Sequence, residues 1–118
     1  MANFEIGILV DIDKSEGYFE EEQTKYVKNQ INDWVGKLKS LPDTEVQSEL
    51  FQSELGLFEL VSITTIGANI ATIATLIITL LKMRFDKEIT IRCNGKEFIL
   101  RGETSEKELK EILEKCGE

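Results

Sequence analysis

Histidine is absent from the 118 residues, which removes the commonest neutral-pH general base and metal ligand. The two cysteines, Cys93 and Cys116, stand far apart and make no thiol-zinc spacing. No glycine-rich phosphate loop or Gly-x-Ser-x-Gly elbow occurs. Basic residues form no run, and 14 of them face 22 acidic ones for a net charge of -8. That balance repels phosphate backbones, so nucleic acid is excluded as a direct ligand. Proline occurs once, and 42% of residues are hydrophobic against 31% charged, which excludes a disordered or low-complexity chain. These absences leave no catalytic residue, cofactor site or metal site to nominate, and the chain reads as a non-enzyme.

What is present fits one α+β domain over residues 1–118, a common domain size. Residues 3–12 alternate Phe4, Ile6, Ile8 and Val10, with Leu9 and Ile12 adding apolar character to the second face. A strand with both faces at least partly covered is expected there. Val27, Ile31, Trp34, Val35 and Leu38 then fall on one face of a helix over residues 19–39. Glu20, Glu21 and Glu22 suit its first turn, Lys37 and Lys39 its last, and Pro42 stops it. Residues 44–52 alternate weakly through Val46, Ser48 and Leu50, as a short edge strand would.

Residues 88–116 carry the plainest signals. Ile89 and Ile91 lie on one side of Asn94-Gly95, with Phe98 and Leu100 on the other, the signature of a type I′ hairpin. Ser105 and Glu108 form a capping box for a helix with Leu109, Ile112, Leu113 and Cys116 on one face, and Gly117 is its plausible C-cap. The order β-α-(β)-α-β-β-α predicts a small mixed sheet of three to four strands with helices packed on it. The cysteines read as buried thiols in a reducing compartment. No basic region or clear cleavage site accompanies the first apolar stretch, so a cytoplasmic, non-secreted chain is expected.

The run Leu60–Leu81 contains no charge and predicts a long apolar central helix over residues 60–82. Ile63, Ile66, Ile70, Ile73, Ile77 and Leu80 form a continuous helical ridge, and Thr64, Ala68, Ala71, Thr72, Thr75 and Thr79 a small-residue face opposite. Threonine hydroxyls there can bond back to their own helix carbonyls. Such a helix could be buried on both sides of a soluble fold, or could cross a bilayer. Its aliphatics favour insertion by about 5 kcal/mol, but Asn69 stands near mid-segment, where an unpaired amide is expensive. In the soluble reading the partner interface comprises Thr64, Ala68, Thr72, Thr75 and Thr79, with Trp34 as an anchor if it is not simply core. Asp11 and Asp13 could hold a divalent ion but read better as a strand-ending loop, and Glu20–Glu22 as a helix N-terminus or an acidic face.

Most of the chain, from Glu5 to Cys116, resembles the effector-associated constant component domain of bacterial conflict and immunity systems. The resemblance rests on the N-terminal strand and the helix ending in Asp33-Trp34-Val35. It continues through Gly56-Leu57 before the apolar run, the basic residues Lys82 and Arg84 after it, and the hairpin Ile89–Leu100. The chain is richer in lysine, isoleucine and glutamate than the alanine- and arginine-rich members. The resemblance implies a non-enzymatic accessory component coupling an effector, such as a protease, to a trigger. It supplies no functional residues. The expectation is an adaptor or regulatory component that associates with a protein partner or with itself through helix 60–82. The alternative is a small single-pass membrane component or cell-death effector using that helix as the bilayer segment.

Overall fold

The computed structural model describes residues 1–11, 21–53, 56–83 and 87–117; for Asp11, Glu21–Thr24 and Ser53 it describes the backbone alone. Its elements are β1 (Ala2–Asp11), α1 (Glu21–Lys39), β2 (Thr44–Ser53), β3 (Gly56–Thr65), α2 (Ile70–Leu81), β4 (Lys87–Cys93), β5 (Lys96–Leu100) and α3 (Glu106–Lys115). The five strands form one antiparallel sheet in the order β2-β3-β1-β4-β5. The first six elements trace two interleaved split β-α-β units, the ferredoxin-like arrangement, and β5 and α3 extend it. This corrects two parts of the expected fold. The sheet is antiparallel with five strands, and there is no long apolar central helix.

The charge-free run is divided between two structures. Leu60–Thr65 belongs to β3, Gly67–Asn69 is one turn of 3-10 helix, and only Ile70–Leu81 is α-helical. β3 alternates buried Leu57, Glu59, Val61, Ile63 and Thr65 with more exposed neighbours, the period of a strand. Its valine, isoleucine and threonines are β-branched and favour the pleated surface. The helical ridge counted from Ile63 is therefore real only from Ile70 onward. Gly56-Leu57 opens β3 and does not lead into a helix. At 1.5 Å per residue, α2 is about 18 Å long, well short of the roughly 30 Å of a bilayer core. No helix among the described residues is long and apolar enough to cross a membrane.

Asn69 makes the change of direction possible. Its side-chain amide lies 2.6 Å from the Pro42 carbonyl, 2.9 Å from Thr44 Oγ1 and 3.0 Å from Thr65 Oγ1, and shares its two hydrogens among them. The buried amide is thus satisfied by the α1–β2 turn and the end of β3, and pins the start of α2 to both.

β1 is central. Phe4, Ile6, Ile8 and Val10 are buried and face the helices, and the pairs Ile6–Val61, Ile6–Ile91 and Ile8–Ile89 are in register beside them. Val27, Ile31, Trp34, Val35 and Leu38 of α1, Ile70, Ile73, Ile77 and Leu80 of α2, and Leu109 and Leu113 of α3 close over this side in one continuous core. The other side of β1 carries Asn3, Glu5, Gly7 and Leu9, with Leu9 39% exposed. The helices cover one face of the strand; on the other, where at least partial coverage was expected, Glu5 and Gly7 are half-buried and Asn3 and Leu9 exposed. β2 runs ten residues, a full edge strand.

Asn94 and Gly95 take φ of +52° and +74° in the β4–β5 turn, the left-handed pair that a type I′ turn requires. Ser105 Oγ accepts from the Glu108 backbone N–H at 3.1 Å, capping α3. α3 folds back so that Cys116 meets Cys93 in a disulfide, with Cα atoms 5.5 Å apart. The expected pair of thiols is corrected accordingly. The partners are 23 residues apart in sequence, and only the packing of α3 beside the hairpin brings them together.

Candidate functional site

The six residues expected to form one interface lie in several places. Thr64 is on the uncovered side of the sheet, in register with Glu45 and Asn3. Ala68 is in the 3-10 turn, and Thr72 and Thr75 are on the outward side of α2. Thr79 donates to the Thr75 carbonyl at 3.0 Å, and Thr75 has its one hydroxyl hydrogen shared between the Ala71 carbonyl at 3.1 Å and the Glu106 carboxylate. Trp34 is 2% exposed, and its indole N–H donates to the Leu76 carbonyl at 2.8 Å. Trp34 and Thr79 line one shallow groove between α1 and α2, together with Asp33, Lys37, Leu76 and Met83. The bulky ridge, expected to lie on the sheet, does so from Ile70 onward, with Ile70, Ile73, Ile77 and Leu80 buried, while Ala68, Thr72, Thr75 and Thr79 stay exposed.

Among the described residues no group of three or more cysteine, aspartate or glutamate side chains could hold a metal ion. Asp13 and Glu20 lie outside the described residues, as does Arg84. Among the described residues one ionisable side chain is buried in the helix-covered face. Glu59 is 4% exposed, and burial pushes its carboxyl above the ordinary value of 4.5. A hydrogen bond with Ser48 and the charge of Lys39 oppose that shift in part.

The feature that sequence reading missed is the uncovered face. Seven large hydrophobic side chains are exposed among the described residues, and four of them, Leu9, Phe51, Phe58 and Ile99, point to this side. Phe51, Phe58 and Leu9 are register neighbours across β2, β3 and β1, forming a row over three strands. The Phe51 and Phe58 rings are 6.1 Å apart between centroids. A Cβ on Gly7 would stand 3.4 Å from the Phe58 ring, so the glycine lets that ring lie close over β1. The signal was available in Leu9 and in Leu57–Phe58, whose consecutive apolar residues cannot both face one side of a strand.

No family model matches the chain, and no curated protein matches it. Among solved structures it is similar to "De novo designed protein Ferredog-Diesel", at 12% identity and a TM-score of 0.43, over 77% of this chain and 84% of that one. A likeness of that degree carries no argument about function.

Proposed function

We propose that the chain is a non-enzymatic adaptor or regulatory component that works by protein–protein association, placed by its family resemblance in a bacterial effector system. The observation that carries the association is the exposed row Phe51–Phe58–Leu9 on a sheet face that no helix among the described residues covers. Contiguous apolar surface of this kind marks interaction sites more often than isolated exposed residues do. The helix α2 supplies the core, and the association surface moves from that helix to the sheet. A cytoplasmic location belongs to this reading.

The test is co-expression of the tagged chain with the products of its neighbouring genes. A stoichiometric complex that survives purification, and is lost in Leu9→Ser/Phe58→Ser, supports the proposal. A chain that stays monomeric by light scattering and binds none of those products refutes it.

A further inference from the structure

We propose that the uncovered sheet face seats a single amphipathic helix of a partner protein, one bearing lysine or arginine around an apolar stripe. This rests on the interaction-module reading and adds the chemistry of the partner.

The charge around the apolar row carries the inference. Glu5, Glu45, Glu49, Glu88 and Glu97 project to this face from the strands, against Arg92 as the one strand cation there among the described side chains, with the exposed Arg101 just past the end of β5. Arg92 is already engaged, with its Nε 3.1 Å from the Glu97 carboxylate. Glu88 stands next to Leu9 in register, and Glu49 pairs with Leu60, one step along from Phe58. An approaching surface therefore meets an apolar centre within a ring of carboxylates.

That arrangement discriminates among occupants. A second copy of the chain, docking face to face, would bring these glutamates against their own equivalents. A phosphate-bearing surface would be repelled in the same way. Cationic side chains around an apolar stripe would be steered to the face by its field, while the stripe buries Phe51, Phe58 and Leu9. From β2 to β1 the apolar row crosses two strand spacings, about 10 Å, which matches the width of one helix.

The experiment titrates the full-length, isotope-labelled chain with two 18-residue synthetic peptides of identical leucine spacing, one filled in with lysine and the other with glutamate. Backbone amide shifts are followed by NMR. The lysine peptide is expected to shift amides of Leu9, Phe51, Phe58 and Leu60. Its affinity should fall at least tenfold in Leu9→Ser/Phe58→Ser and also in Glu49→Lys/Glu88→Lys, and the glutamate peptide should not bind. All four positions are solvent-exposed, and retained amide dispersion verifies that each variant is folded. Equal binding of both peptides overturns the charge inference and leaves the interaction face standing. Shifts confined to the groove between α1 and α2, or indifferent to both double variants, overturn the face itself. Concentration-dependent shifts of the same amides without peptide overturn it in favour of self-association.

Discussion

The two faces of the sheet use alternate residues of the same strands and have opposite fates. On β1, Phe4, Ile6, Ile8 and Val10 are sealed under the helices, while Asn3, Glu5, Gly7 and Leu9 look outward. On β3 the division falls between Leu57, Val61 and Ile63 on one side and Phe58, Leu60 and Ser62 on the other. Apolar character alone does not tell the faces apart, since Leu9, Phe58 and Leu60 are as apolar as their buried neighbours. What separates them is company. The covered face is mostly aliphatic, with Glu59 as its buried carboxylate among the described residues, and the open face sets its apolar row among several glutamates. The first makes the core, and the second is the surface on which the proposed association rests.

The sharpest test of this difference is paired truncation on β1. Ile6→Ala opens a cavity in the core and should cost about 3 kcal/mol, within a range of roughly 2–5. Leu9→Ala, three residues on, should stay within about 0.5 kcal/mol. Urea unfolding of both variants measures the contrast, and equal losses would mean that the outer face is also core.

Reduction of the Cys93–Cys116 link should lower stability by a comparable amount, about 3 kcal/mol from loop-closure entropy. The check is unfolding with and without reductant, with Cys93→Ser/Cys116→Ser as the control that reductant must not affect. A reducing cytoplasm opposes such a link, so rapid alkylation of the chain from its native cell shows which form is used.

Asn69→Ala removes the amide shared by Pro42, Thr44 and Thr65 and should cost roughly 1–3 kcal/mol through unsatisfied buried groups. Thermal unfolding reads the loss, and Thr72→Ala on the outer side of α2 should leave the midpoint near that of the wild type.

The smallest effect concerns pH. The Glu59 carboxyl is raised in the folded state, so the folded chain binds its proton more tightly than the unfolded chain does. Its contribution to stability is complete below about pH 4.5 and is lost as pH rises through the folded value. Glu59→Gln, which stays neutral, should therefore be more stable than wild type at pH 7 and lose that advantage below the ordinary carboxylate value. Unfolding midpoints at pH 4 and pH 7 measure it, and an advantage independent of pH would assign the effect to packing.

Local rules were enough for the elements whose signals are local. The period of Val27, Ile31, Trp34, Val35 and Leu38 fixed the buried face of α1, Asn94-Gly95 the hairpin, and Ser105 the start of α3. Charge composition likewise made an acidic chain legible. The tertiary structure alone decided where the uncharged run breaks. Ile63 fits a helical ridge and a strand alternation equally well, and pairing with Phe4 on β1 and Val46 on β2 selects the strand. Asn69 then finds three acceptors, and the helix begins only after it. The disulfide and the open face of the sheet were beyond sequence for the same reason. Each depends on which residues distant in the chain are brought together, and periodicity within one segment carries no record of its neighbours.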